Sequence, residues 1–134
     1  MTAGESGSLA TGPKIVVIED TPDILELIEV VLSEEGFAVV PCLDASAAVE
    51  TVATERPALA IADLKMAGVQ RWELVDRLLD DPRTHQIPLI VCSGAAAELK
   101  EAESRLQARG VGILLKPFDI EELARLVHAT IAAR

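Results

Sequence analysis

Aromatic residues, cysteines and long apolar runs are all scarce in this chain of 134 residues. Aromatic side chains make up 2%, with one Trp, two Phe and no Tyr, so a nucleic-acid surface of stacked aromatic rings is not expected. Two cysteines, Cys42 and Cys92, do not form a disulfide framework. No segment reaches the ~18 uninterrupted apolar residues of a membrane span, and the N-terminus lacks the basic start and apolar stretch of a signal peptide. We therefore expect a cytoplasmic protein without membrane insertion.

Acidic residues outnumber basic ones. The sequence has 22 Asp and Glu against 12 Lys and Arg, a net charge of −10 that disfavours direct contact with nucleic acid. Half of the residues are hydrophobic and the mean hydropathy is +0.33, which suffices for one aliphatic core. Residues 1–13 are rich in Gly, Ser and Thr and are expected to form a flexible leader, followed by a single domain over residues 14–134.

Short apolar runs alternate with amphipathic segments along the whole domain. The predicted strands are Lys14–Ile18, Phe37–Pro41, Ala58–Ala62, Ile87–Cys92 and Val111–Leu115. Helices are expected from a cap at Thr21 to a stop at Gly36, from Asp44 to Pro57, over Arg71–Leu79, over Ala96–Ala108, and after a cap at Asp119. Strand–helix alternation predicts an α/β fold, a (βα)5 chain with a doubly wound parallel five-stranded sheet and helices on both faces.

Polar residues whose side chains can bind ligands or react stand at four of the predicted strand ends. They are Glu19, Asp20, Asp63, Ser93 and Lys116. In open parallel sheets the ligand site lies beyond the carboxyl ends of the strands, so we expect these side chains to converge. Two carboxylates ~4 Å apart repel by about 4 kcal/mol at an effective dielectric constant near 20, so three of them require a cation. Oxygen ligands favour Mg²⁺ over zinc.

Such a site has the groups needed to transfer a phosphoryl group. Asp63 lies centrally and is the best candidate nucleophile, which would form an aspartyl phosphate. Glu19 and Asp20 then remain to hold the metal. Lys116 would neutralise charge on the phosphoryl oxygens, and Ser93 could donate a hydrogen bond to one of them.

The chain resembles the receiver domain of two-component response regulators from Lys14 to about Ala132. The matching motifs are the acidic pair Glu19-Asp20, the run from Asp63 to Gly68, the Ser93-Gly94 step, and Lys116-Pro117-Phe118. This resemblance implies a flavodoxin-like fold with strand order 2-1-3-4-5. It also implies that Asp63 accepts a phosphoryl group from a histidine kinase or a phosphotransfer protein.

The same resemblance implies a ligand set for Mg²⁺. Asp20 and Asp63 would bind the ion directly, together with the backbone carbonyl of Lys65. Glu19 would act through a water molecule.

Further roles implied by the resemblance concern the other two strand ends. Lys116 would contact the phosphoryl group or the free Asp63, and Ser93 would be the switch hydroxyl that moves toward the phosphate. A cis Lys116–Pro117 bond is expected as well.

Three positions depart from the family pattern besides Glu19, which stands where Asp is commoner. Ala67 replaces a proline, Arg71 replaces a glycine, and Ile113 replaces the aromatic residue that usually reorients with the switch hydroxyl. Glu19, Ala67 and Ile113 suggest an alternative function, a receiver-like protein-binding module that acts without phosphorylation. A metal-dependent phosphohydrolase is a further alternative, disfavoured because Lys65 stands where such enzymes usually have a second acid.

The expected activity is thus a signalling switch and not an enzyme of small substrates. Its only reactions would be self-phosphorylation from a phosphodonor and Mg²⁺-assisted autodephosphorylation. The expected partners are the kinase or phosphotransfer protein and either a downstream protein target or an output domain missing from this chain. Dimerisation on activation is a hypothesis.

Overall fold

The computed structural model describes residues 12–66, 68, 70 and 72–133, and within them five strands alternate with five helices. The strands are β1 (Lys14–Ile18), β2 (Ala38–Cys42), β3 (Leu59–Asp63), β4 (Leu89–Ser93) and β5 (Gly112–Leu115). The helices are α1 (Pro22–Glu34), α2 (Ala48–Glu55), α3 (Glu73–Asp80), α4 (Ala96–Ala108) and α5 (Ile120–Ala132). The predicted α/β alternation is confirmed.

The five strands form one parallel sheet in the order β2-β1-β3-β4-β5, as the resemblance implied. In the register of the central pair, Ile18 of β1 lies beside Ala62 of β3. Because both strands run in the same direction, the residues that follow these two positions emerge side by side at the carboxyl edge of the sheet.

Two apolar layers cover the sheet, one on each face. Successive side chains of a strand leave it on opposite faces, so Val16 and Ile18 pack with α2, α3 and α4, whereas Ile15 and Val17 pack with α1 and α5. All four side chains are fully buried, and each burial stabilises the fold by about 1.5–3 kcal/mol. A strand that is apolar on both faces is therefore held at the centre, with its polar continuation at the edge.

Some element boundaries differ from the predicted ones. β2 begins at Ala38 instead of Phe37, because the Phe37 N–H donates to the Leu32 carbonyl and so closes the end of α1. Gly36 supplies the positive φ of +95° that this turn requires. β4 begins at Leu89, two residues later than predicted.

The predicted helix caps also met different outcomes. Asp119 caps α5 by accepting a hydrogen bond from the Glu122 N–H. Asp44 caps a short 3₁₀ turn over Ala45–Ala47 that precedes α2. Thr21 precedes α1, but its side chain makes no capping hydrogen bond, so that part of the prediction was wrong.

The predicted leader lies mostly outside the described residues, as do Ala67 and Arg71. Its last two positions, Gly12 and Pro13, are described, and the Pro13 carbonyl accepts a hydrogen bond from the Ala38 N–H. A side chain at Gly12 would meet the Gly36 carbonyl oxygen, so only glycine fits there. Within the described part of the chain, no helix is long and apolar enough to cross a membrane.

Candidate functional site

Three carboxylates meet where β1 and β3 end. Asp63 is the last residue of β3, and Glu19 and Asp20 directly follow β1. The Glu19 N–H donates to the Cys42 carbonyl at 3.0 Å, which extends the hydrogen-bond ladder with β2 past the end of β1. One ligand oxygen from each of the three carboxylates lies within 4.8 Å of the other two. The predicted convergence of the acidic residues is therefore present.

Lys116 brings a positive charge into this cluster. Its Nζ lies 3.0 Å from Oε1 of Glu19 and 3.2 Å from Oδ2 of Asp63. Its backbone N–H donates to the Ser93 carbonyl at 2.8 Å, and the following bond to Pro117 is cis, as the resemblance implied. The contact with Asp63 matches the expectation from the sequence. The contact with Glu19 was not foreseen, because Glu19 was predicted only as a ligand of the metal ion.

Burial and charge together raise the pKa values of Glu19 and Lys116. Glu19 is almost fully buried, and burial raises its pKa, partly offset by the hydrogen bond from Lys116. Burial lowers the pKa of Lys116, but the hydrogen bond to Glu19 and the negative charges of Glu19 and Asp63 outweigh it, so the net direction is upward. One ammonium group thus faces a surplus of negative charge, which keeps it protonated and leaves the cluster short of cations.

Ser93, the last residue of β4, is 2% exposed. Its Oγ accepts a hydrogen bond of 2.9 Å from the Ala95 N–H, at the start of α4. The Ser93 hydroxyl therefore connects the carboxyl edge of the sheet to the first turn of a helix.

An open cleft of about 630 Å³ lies over the cluster. Lys65 is exposed at its rim, and its backbone N–H donates to Oδ1 of Asp63 at 3.2 Å. Thr21, Met66 and Gly94 also line the cleft. Met66 and Gly94 belong to motifs that carry the resemblance, whereas Thr21 was predicted only as a helix cap and not as a neighbour of Asp63.

The donor set fits a hard divalent cation. The three side chains offer only carboxylate oxygens, and among the described residues no His or Cys joins the group. Cys92 lies nearby in β4 but is buried in the core, where burial raises the pKa of its thiol to about 12. Mg²⁺ is the divalent ion best suited to a small, partly hydrated carboxylate site.

Ile113 lies in β5, where it is half-buried and packs against the core layer formed with α2, α3 and α4. It also lines a small groove with Glu122, Arg125 and Leu126 of α5. The aliphatic residue at this position thus packs on the α2, α3 and α4 side of the sheet and, because β5 is an edge strand, also borders a groove beside α5.

Comparisons with known proteins agree with this geometry. The family model of the response regulator receiver domain matches residues 15–128. An uncharacterized 14.6 kDa protein in the sodA1 3′ region of Leptolyngbya boryana is 31% identical over 85% of this chain and 86% of its own length. The transcriptional regulatory protein TctD of Salmonella typhimurium is 33% identical over 84% of this chain, and the match spans about half (50%) of that protein.

A solved structure shares the fold. The receiver domain of sensor histidine kinase PA1611 from Pseudomonas aeruginosa, described with a magnesium ion coordinated in its active site cleft, superimposes with a TM-score of 0.78. It is 23% identical, and the superposition covers 91% of this chain and 99% of that domain. Together with the match over residues 15–128 and the strand order, these findings show that the chain belongs to the response regulator receiver domain family of two-component systems.

Proposed function

We propose that this domain is a phosphorylation-dependent switch in which Asp63 accepts a phosphoryl group from a histidine kinase or phosphotransfer protein. The observation that carries the proposal is the position of the Asp63 carboxylate. It lies at the base of an open cleft, 3.2 Å from the Lys116 ammonium, in a cluster with Glu19 and Asp20.

The transfer is a substitution at phosphorus. A carboxylate oxygen of Asp63 attacks the phosphorus of a phosphohistidine, the new P–O bond forms, and the P–N bond breaks with its electron pair returning to the imidazole nitrogen. Lys116 orients Oδ2 of Asp63 and the Lys65 N–H orients Oδ1, so both oxygens are positioned before the donor arrives.

Glu19, Asp20 and Asp63 would hold Mg²⁺, with the Lys65 carbonyl as a further ligand. When bound, the ion supplies the positive charge that the phosphoryl oxygens require. The presence of magnesium in the cleft of the PA1611 receiver domain supports this assignment.

Reset of the switch is a hydrolysis. A water molecule attacks the phosphorus, the P–O bond to Asp63 breaks, and inorganic phosphate leaves while the carboxylate is restored. The domain then acts on no small substrate apart from its own phosphodonor.

Ser93 would transmit the phosphorylation. Its Oγ now accepts from the Ala95 N–H at 2.9 Å, and its O–H would donate a hydrogen bond to a phosphoryl oxygen on Asp63. Movement of the hydroxyl toward the phosphate would release the start of α4 and change the surface formed by α4, β5 and α5. This surface would contact a downstream protein, an output domain or a second copy of the domain, and we place these events in the cytoplasm.

The test uses acetyl phosphate with Mg²⁺ and measures intact mass. We expect one phosphoryl adduct on the wild-type chain and none on Asp63→Asn. The matched control is Asp76→Asn on the exposed face of α3, which should be labelled like the wild type. If Asp63→Asn takes up the adduct, or if the wild type takes up none, the phosphoacceptor proposal fails. The second outcome would favour a binding module that acts without phosphorylation.

A further inference from the structure

A second cleft lies at the edge of the sheet opposite to the Asp63 cluster. It has a volume of about 500 Å³ and is bounded by residues 85–89, which lead into β4, and residues 109–112, which lead from α4 into β5. Both segments stand at the amino ends of their strands, whereas Ser93 and Lys116 stand at the carboxyl ends. Among the described residues, none lines both this amino-edge cleft and the cleft over Asp63, so the two are separate.

Much of the wall of the amino-edge cleft is apolar. Leu79 of α3, Leu89 of β4 and Val111 are buried core residues that border it, and Ala129 of α5 lies on another side. Small-molecule sites typically have apolar walls with a few polar groups and volumes of about 300–1,000 Å³. The amino-edge cleft has this size and this character, so it can cover the apolar body of a small ligand.

The charge in the amino-edge cleft has the opposite sign to that of the chain. The sequence has 22 Asp and Glu against 12 Lys and Arg, yet no Asp or Glu is found among the described residues that line this cleft. Arg109 supplies a positive charge, and His85, Gln86 and Gln107 add side chains that can donate hydrogen bonds. By contrast, acidic residues line both the cleft over Asp63 and the groove along α3. The lining of the amino-edge cleft therefore favours an anion.

Arg109 is positioned by the end of α3. Its Nη2 donates to the Leu79 carbonyl at 3.0 Å and lies 3.5 Å from Oδ1 of Asp80. The Arg109 side chain is 48% exposed, and both contacts use the same nitrogen, so Nε and Nη1 keep N–H groups that can bind a ligand. One guanidinium balances one negative charge, which suits a carboxylate better than a dianionic phosphate.

We propose that the amino-edge cleft binds a small amphipathic monocarboxylate. Its apolar body would pack against Leu89 and Val111, and its carboxylate would accept hydrogen bonds from Arg109. Asp80 opposes this binding, because its carboxylate competes for the same guanidinium. The site shares no described residue with the Asp63 cluster, so binding there requires no phosphorylation.

The experiment titrates the full chain with 2-naphthoate and follows the backbone N–H signals by NMR. Two probes separate the contributions to binding: 2-naphthylmethylammonium has the same rings with a positive charge, and acetate has the charge without the rings. We expect 2-naphthoate to bind about tenfold or more tightly than either probe, with the largest shifts at residues 85–87 and 109–112. The net charge of −10 favours the cation everywhere else on the surface, so a preference for the anion identifies a local site.

Two substitutions should move the affinity in opposite directions. Arg109→Gln removes the charge and should weaken 2-naphthoate binding about tenfold or more. Asp80→Asn removes the competing carboxylate and should strengthen binding about two- to fivefold, the typical contribution of an exposed ion pair. Because Asp80→Asn leaves the hydrogen bond from Arg109 to Leu79 in place, a gain in affinity cannot come from damage to the fold.

Asp76→Asn is the matched control for Asp80→Asn. Asp76 lies one turn earlier on α3, is exposed and does not line the amino-edge cleft, so the same change of net charge should leave the affinity within about twofold. The proposal is overturned if 2-naphthoate and its cationic counterpart bind equally well, if the largest shifts lie at the carboxyl edge of the sheet, or if Asp80→Asn binds no more tightly than Asp76→Asn. None of these measurements involves phosphorylation, so their outcome is independent of the test with acetyl phosphate.

Discussion

Replacement of Asp63 by Asn should stabilise the metal-free domain, although it removes a buried ion-pair partner. The three carboxylates have ligand atoms within 4.8 Å of one another, and Lys116 is the cation that contacts two of them. At an effective dielectric constant near 20, each repulsion at 4.8 Å amounts to about 3.5 kcal/mol, so the two that Asp63 experiences total about 7 kcal/mol.

The attraction lost with the same substitution is smaller. Lys116 at 3.2 Å contributes about 5 kcal/mol to Asp63 on the same scale, and the ammonium keeps its contact with Glu19. The net change is therefore a stabilisation of about 2 kcal/mol without a divalent cation. The side-chain amide preserves the shape of the carboxylate, so no cavity offsets this gain.

Mg²⁺ should narrow the difference in the free energy of unfolding between the wild type and Asp63→Asn. A ligand that binds only the folded state stabilises it by about 1.4 kcal/mol at ten times its dissociation constant. Wild type should gain this increment, whereas the variant, with one ligand and one charge fewer, should gain less.

Urea denaturation followed by circular dichroism, with and without Mg²⁺, measures both effects. Asp76→Asn is the control, because Asp76 is exposed and its one ion pair with a described residue is a 3.8 Å contact with Arg105. It should change the free energy of unfolding by no more than about 0.5 kcal/mol. A lower urea midpoint for Asp63→Asn in metal-free buffer, or an equal Mg²⁺ response in both proteins, would refute the electrostatic reasoning.

Three further predictions concern pH, thiol reactivity and fluorescence. Burial raises the pKa of Glu19 above 4.5, so the folded state binds the Glu19 proton more tightly than the unfolded chain does. Protonation of Glu19 therefore stabilises the folded state below pH 4.5, and this stabilisation is lost as the pH rises through the pKa of the folded state. Glu19→Gln should therefore flatten that part of the pH profile of the urea midpoint, and an unchanged slope would contradict the assignment. Cys92, whose pKa burial raises to about 12, should react with a thiol reagent at pH 8 only after urea is added, and rapid labelling of the folded protein at this residue would disprove its burial. Arg105 lies 5.2 Å from the centre of the ring of Trp72, the single tryptophan. Arg105→Ala should therefore alter the tryptophan emission and lower the free energy of unfolding, measured with urea, by about 0.5–1 kcal/mol. An identical emission spectrum would show that the contact is absent in solution.

Local sequence patterns predicted the elements well where the deciding interactions are local. The bounds of α4 are the predicted ones, because an alanine-rich amphipathic run determines a helix through contacts three and four residues apart. The predicted start of β2 was wrong by one residue, because Phe37 is as apolar as a strand residue. In the structure, its N–H instead donates to the Leu32 carbonyl of the preceding helix. The apolar pattern does not record which backbone partner a residue takes.

In the candidate site, too, the sequence identifies the residues, whereas the contacts between them depend on the tertiary structure. Glu19, Asp20, Asp63 and Lys116 could be selected from the sequence, because each stands where an apolar strand ends and parallel strands end at one edge. The charged residues and the alternation of elements were thus determined by the sequence alone.

Only the tertiary structure decided which of these groups touch. Strand order is set by pairing between segments far apart in the chain, and it places β1 beside β3 with β4 between β3 and β5. Lys116, which follows β5, therefore has to extend across the edge of the sheet to reach Glu19 at 3.0 Å, and the burial that raises the pKa of Glu19 arises from the same packing. Distances, burial and the resulting balance of charge depend on long-range contacts, which no local pattern encodes.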